Sequence, residues 1–320
     1  MKALEGWKIK KAVTVCGQYR EVNSEFRDRL SRRQWDVGHI TRNVRSALAD
    51  IRAGKASLII LDDSPALPLS VMLRQVTADM TGLMTPVMGL CNETNPKEKT
   101  CINSMSTARI LDQPVSPLKF VEAFEQTLMA WTAGPLKHIH KAGSHYRDGN
   151  VKSAVQILAE VSQRSEDPQA SMLANPILAM ALRASSLKSA EKILLASLKR
   201  GPRNMAVIFA LVDLYLNGAM PGAAIRLLNG AQNAYKEPKA LYLDQIQAYS
   251  MLNMGARAIE ILRKMLANDF MADFAAKVLP RYLFGAGYHA EIPKFLRTMN
   301  VTPEAFKAAW SRESGQRKAG

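Results

Sequence analysis

The chain has 320 residues, of which 48% are hydrophobic and 22% charged, enough to build two domains with cores and too apolar for wholesale disorder. Its formal net charge of +15 is uneven: residues 1–133 hold 18 Lys and Arg against 14 Asp and Glu, the remainder 25 against 14. The basic second half asks for an acidic partner, nucleic acid included, without naming one. Three cysteines, Cys16, Cys91 and Cys101, with no C-x-x-C pair, speak against a disulfide framework or a zinc site and fit a reducing, cytoplasmic setting. No run approaches transmembrane length, and no membrane partner is expected.

Residues 1–11 form a short basic lead. Ala12-Val13-Thr14-Val15-Cys16 is β-prone and reads as a first strand. Residues 21–33 carry Val22, Phe26 and Leu30 at spacings of four and predict a helix. A second strand is expected over 35–40, then a helix over 44–53 that Gly54 stops. Ser57-Leu58-Ile59-Ile60-Leu61 is an unbroken apolar run ending in Asp62 and Asp63, the pattern of a strand buried on both faces. Leu69, Met72, Leu73 and Val76 make the next helical stripe. A fourth strand is expected over 86–91 and a fifth at Ile110-Leu111, after which Ser116 caps a helix over 117–131 with Pro117 in its first turn. Strand alternating with helix argues a doubly wound parallel sheet, where chemistry sits at the carboxyl ends of strands.

Residues 10–131 resemble the receiver domain of bacterial response regulators. Leu58 to Asp62 matches the strand that ends in the phospho-accepting aspartate, and Ile110 to Pro114 followed by Ser116-Pro117-Leu118-Lys119-Phe120 is similar to the fifth strand, its Lys-Pro step and the last helix. The resemblance implies a flavodoxin-like α/β fold with a parallel five-stranded sheet. It also shows what is missing. Phosphorylation of the aspartate needs Mg²⁺ held by carboxylates. Receivers place an acid pair after the first strand, where this chain has Cys16-Gly17-Gln18. The phosphate-pairing Lys is replaced by Gln113, and the Thr or Ser hydroxyl by Cys91. Asp62 keeps its place beside Asp63, so the phospho-acceptor position is expected to be inactive, and Mg²⁺ is expected only if Asp62 is phosphorylated. Cys16 and Cys91, at two strand ends, could be neighbours, either as a redox pair or as two small buried side chains.

Thr132-Ala133-Gly134-Pro135 breaks the pattern and marks a boundary at 133/134. Beyond it only helical patterns follow, and they repeat. Tyr215 and Tyr249, Ala224 and Ala258, Ile225 and Ile259, and Leu228 and Leu262 are each 34 apart. This register resembles the tetratricopeptide repeat, so residues 134–310 are expected to form an all-α solenoid of helix pairs. Within the unit beginning at Met205, Leu211, Tyr215, Ala224, Leu228 and Ala231 carry the likeness. The unit over 169–204 contains Asn175-Pro176 and is expected to start its first helix late. Residues 273–306, with Pro280 and Pro293, fit the pattern poorly, as a capping unit does, and 311–320 are expected to be a disordered tail.

The repeat likeness implies a partner-binding groove at Arg147, Arg183, Asp213, Asn217, Gln247, Lys277 and Arg281, whose basic members suit an acidic segment of a protein. A denser basic group, Lys188, Lys192, Lys199, Arg200 and Arg203, reads as a solvated face. His138, His140 and His145 lack the i, i+4 spacing and carboxylate of a metal helix, so no metal site is expected. No catalytic constellation stands out, and the chain is not expected to be an enzyme. Three functions remain open: a signalling adaptor that binds a protein through its repeats, with homodimerisation through 109–131; a working two-component response regulator using Asp62; and a nucleic-acid binder. Against the last, no aromatic residues interleave with the basic ones.

Overall fold

The computed structural model describes residues 12–17, 24–64, 67–93, 95–105, 108–164, 167–183, 185–201, 204–236 and 238–298. Gln18, Val22, Arg203, the 1–11 lead and the 311–320 tail lie outside the described residues. The chain divides into two compact units, residues 1–240 and 241–320.

In the first unit, β1 (Ala12–Cys16), β2 (Asp36–Thr41), β3 (Leu58–Asp62), β4 (Val87–Cys91) and β5 (Arg109–Asp112) form one parallel sheet in the order β2-β1-β3-β4-β5. The apolar runs dictate this. Every residue of β1, β3 and β4 is buried, as interior parallel strands require, whereas β2 at the edge is largely exposed. One sheet face is covered by α1 (Ser24–Ser31) and α6 (Pro117–Thr132), where the Phe26 and Phe120 rings stack 4.5 Å apart and Trp35 meets Phe124 edge-on. Ser116 caps α6, accepting the Lys119 N–H, as its position before Pro117 predicts. The other face carries α2 (Val44–Arg52) and α3 (Leu69–Thr77), with the short α4 (Met80–Leu83) beside them. The sequence reading named neither α4 nor α5 (Pro96–Asn103). Both are short, and their caps, Asp79 and Asn95, are the local signals for them.

The step from sheet to helices falls inside the first unit. There α7 (Lys137–Arg147), α8 (Val151–Arg164), α9 (Pro168–Leu182), α10 (Leu187–Arg200), α11 (Met205–Asn217) and α12 (Pro221–Tyr235) form three helix pairs. In the second unit α13 (Tyr242–Met251), α14 (Gly255–Ala267), α15 (Ala272–Gly285) and α16 (Glu291–Thr298) form two more. The expected late start at Asn175-Pro176 is corrected: α9 runs through Pro176. Two turns of helix already precede the proline, and the buried Asn175 is fixed from both sides. It accepts from the Ser162 hydroxyl at 2.5 Å and donates to Ser197 at 3.2 Å.

The 34-residue register has a physical basis in packing and in turns. Ala154, Ala190, Ala224 and Ala258 occupy equivalent buried places, and four residues on lie the buried Leu158, Leu194, Leu228 and Leu262. The small residue lets the paired helices approach and the leucine fills the gap beyond. The turn inside four of the pairs is the same helix stop. Gly149, Ala219, Asn253 and Gly287 have φ of 79°, 54°, 56° and 80°. The following N–H reaches back five residues: Asn150 to His145, Met220 to Tyr215, Met254 to Tyr249 and Tyr288 to Leu283, at 2.8–2.9 Å. This is the Schellman stop, which favours a left-handed residue.

The first unit closes on itself. Helix α3 is buried on nearly every side and so is α11, which marks both as helices inside a layered body rather than on its surface. They meet through Arg74 of α3, 8% exposed, whose guanidinium pairs with both carboxylate oxygens of Asp213 at 2.5 and 3.0 Å. Its carbon lies 4.5 Å from the Phe209 ring centroid. One apolar cluster joins Leu83 and Met84 to Leu136, Ile139 and Ala142 of the first pair and to Leu173, Ala174 and Ile177 of α9. Further along, the Met205 N–H donates to the Ser104 carbonyl at 3.1 Å, and Glu98 of α5 accepts the Lys239 N–H at 3.0 Å.

Ala219 sits in left-handed backbone with a Cβ that this conformation disfavours. Ala219→Gly is therefore expected to raise stability by about 0.5–1 kcal/mol, whereas Leu228→Ala, which empties a fully buried place, costs about 2–5 kcal/mol; urea denaturation of the two variants measures both.

Candidate functional site

The carboxyl ends of β1, β3, β4 and β5 bring the receiver-like positions to one edge. Asp62 closes β3 and is 2% exposed. Its Oδ1 accepts a hydrogen bond from Gln113 Nε2 at 2.9 Å. Gln113 is itself held by its N–H on the Cys91 carbonyl at 2.9 Å, and the Gln113–Pro114 peptide is cis. The side chain that meets the Asp62 carboxylate is thus a neutral amide and not a cation.

Gly17 backs directly onto Asp62. With φ of 151° it occupies a conformation that favours glycine, and a Cβ there would lie 2.4 Å from the Asp62 carbonyl oxygen and 2.6 Å from its Cβ. The close approach of the β1 end to β3 excludes any side chain at residue 17. No acid can occupy that place without moving the β3 end.

Asp63 faces a different task. Its Oδ1 accepts the Leu69 N–H at 2.7 Å at the start of α3, and its Oδ2 accepts the Asn92 N–H at 2.9 Å after β4. The Asn92 side chain returns a bond to the Asp63 carbonyl at 3.1 Å. Asp63 therefore staples two loops over the carboxyl edge. Burial raises its pKa against the lowering effect of the two backbone N–H groups.

Cys16 and Cys91 are not adjacent. Strand β3 lies between them, since β1 and β4 each pair with β3, and two strand spacings separate them by roughly 9–10 Å, past disulfide reach. The redox-pair alternative is thereby corrected in favour of two buried thiols. Burial pushes Cys16 up to about 12 and Cys91 to about 11, and it raises Cys101 as well.

The groove residues separate into groups. Asp213 is engaged by Arg74, so its carboxylate is spoken for inside the first unit. Asn217 is exposed and donates to the Asp213 carbonyl. Arg147 is half-buried and donates to the Ser144 hydroxyl at 3.2 Å, while Arg183 is exposed. In the second unit Gln247 and Lys277 are exposed and Arg281 is half-buried. Lys188, Lys192, Lys199 and Arg200 are solvated along α10. Of the three histidines, His140 is buried against Trp131, with ring centroids 6.4 Å apart, and desolvation lowers its pKa to about 4. Among the described residues no cluster of three or more metal-ligating side chains forms, and no helix is long and apolar enough to cross a membrane.

No family model, curated protein or solved structure matches the chain.

Two outcomes are expected from this geometry. Gly17→Ala costs more than about 1 kcal/mol, because backbone and contact both oppose it, read as a lowered melting temperature. The three thiols stay protonated at pH 8, well below their raised pKa values, so iodoacetamide labels the native chain far more slowly than the urea-unfolded chain, followed by intact mass.

Proposed function

We propose that the protein is a non-enzymatic signal-transduction adaptor, in which a receiver-like α/β layer without phosphoryl chemistry is joined to tetratricopeptide-type helix pairs that hold a protein partner. One observation carries this reading: the Asp62 carboxylate, 2% exposed, takes the neutral Gln113 amide, with the Gly17 backbone pressed against its own. In-line phosphoryl transfer needs an accessible carboxylate, a metal held by acids and a cation on the leaving oxygens. The receiver likeness is supported by the parallel order β2-β1-β3-β4-β5 with Asp62 at the carboxyl end of β3. The tetratricopeptide likeness is supported by the recurring Ala and Leu places and the repeated helix stop.

The partner surface lies in the second unit. In the first, Arg74 and the α4 side chains occupy the helices that would line a groove. In the second, Gln247 and Lys277 stand open to solvent on the first helices of their pairs, with Arg281 one turn after Lys277. Their charge suits an acidic segment. Homodimerisation through 109–131 is supported by Leu118 and Met129 of α6, large apolar side chains that are 71% and 61% exposed.

A second reading, a phosphorylatable response regulator, is favoured by the position of Asp62 itself, with the Asp63 carboxylate next to it. Incubation with acetyl phosphate and Mg²⁺ separates the two. An adaptor gives no phosphate adduct by intact mass on wild type; an adduct on wild type that Asp62→Ala abolishes overturns the adaptor reading. In the same material, Lys277→Glu is expected to weaken capture of an acidic-peptide partner by about tenfold or more through charge reversal.

A further inference from the structure

The sheet edge opposite Asp62 holds a cleft of about 830 Å³. Ala56 and Ser57, leading into β3, and Thr85 and Pro86, leading into β4, form one side; the turn after α2 and the length of α7 form the others. Its volume falls within the range of small-molecule sites, about 300–1,000 Å³.

The lining is strongly cationic. Lys137, Lys141 and Arg147 of α7 all face it, against a single lining carboxylate, Asp148. None of the three cations makes an ion pair among the described residues, whereas Arg52 at the far wall is already engaged by Asp79. Arg147 is half-buried, and desolvation lowers its pKa against the raising field of the neighbouring Asp148, with which it forms no ion pair among the described residues. The carboxyl end of α2 also points here, but its last carbonyls are taken: Ala53, Gly54 and Lys55 donate to Ala49, Ile51 and Asp50. The helix end therefore presents no row of bare acceptors to repel an anion.

A second observation is independent of charge. Thr132 lines the cleft at the end of α6 and is 8% exposed, and its hydroxyl has no hydrogen-bond partner among the described residues. Buried hydroxyls are ordinarily satisfied, and one left open beside a cavity calls for a water or a ligand atom there.

We propose that this cleft binds a phosphate-bearing small molecule of nucleotide size, with Arg147, Lys141 and Lys137 on the phosphate oxygens and the Thr132 hydroxyl bonded to a polar atom of the organic body. Three unpaired cations against one carboxylate match a group carrying about two negative charges, as a phosphate monoester does, better than a lone carboxylate. A cleft bounded by sheet edge, α2 turn and α7 suits a compact ligand better than a polymer, which needs an extended track. The site is remote from Asp62 and independent of whether that residue reacts.

Titration calorimetry of the full chain at physiological salt, with sodium diphosphate, AMP and ATP in separate arms, tests this. Saturable one-to-one binding is expected in at least one arm. It weakens about tenfold or more in Lys141→Gln and in Arg147→Gln and is unchanged in Lys188→Gln. Lys141 is exposed, so its variant keeps the fold and the test survives if Arg147→Gln misfolds. Thr132→Val, which removes the unsatisfied hydroxyl, is expected to raise the melting temperature of the free chain while weakening nucleotide more than diphosphate. No saturable binding in any arm, or affinities that Lys141→Gln leaves unmoved, would overturn the proposal.

Discussion

Arg74 and Asp213 are 139 residues apart in the chain and meet at 2.5–3.0 Å, deep between α3 and α11. Both helices are otherwise apolar nearly all round, and apolar faces alone can slide past one another. A bidentate pair with the Phe209 ring beneath it fits in one arrangement only. We read it as the mark that sets the register between the sheet layer and the helix pairs of the first unit. Removing Asp213 leaves the buried Arg74 charge uncompensated, at about 3–5 kcal/mol, and removing Arg74 costs less because Asp213 is only partly buried. The apolar cluster around Met84 and the bonds from Glu98 and Ser104 spread the same junction over α4 and α5.

Helices that could have lined an open groove are spent on internal packing in the first unit, and Asp213 is the clearest instance. At the carboxyl edge of the sheet, Gln113 bonds the Asp62 carboxylate, Gly17 backs onto it and Asp63 staples two loops. At the opposite edge, Lys137, Lys141 and Arg147 of α7 line a cleft beside the strand entrances.

Much of this was legible in the sequence. The run from Leu58 to Asp62 could only be an interior parallel strand, because four successive apolar residues need both faces covered. The spacing of Ala224, Leu228, Ala258 and Leu262 revealed the helix pairs, since one close approach per pair must recur at the repeat length. The junction was not legible. Asp213 was expected in a groove, yet its carboxylate pairs with Arg74 of α3, and no local pattern links residues so far apart. A signal was present in retrospect: Arg74 and Asp213 are lone charges in the middle of apolar helices, and such charges seek each other. The continuation of α9 through Pro176 was missed for a related reason. Propensity stops a helix at proline, and the long-range bonds of Asn175 to Ser162 and Ser197 override it. The cleft was missed because its walls come from strand entrances, α2 and α7, and a basic helix by itself reads as solvated.

Hydrogen exchange by mass spectrometry, on full-length wild type and Arg74→Ala, tests most directly whether sheet layer and helix pairs are one body through this pair. Faster exchange is expected in Arg74→Ala over both residues 69–77 and residues 205–217, with 242–251 as the internal reference. Faster exchange confined to 69–77, with 205–217 as protected as in wild type, would contradict it.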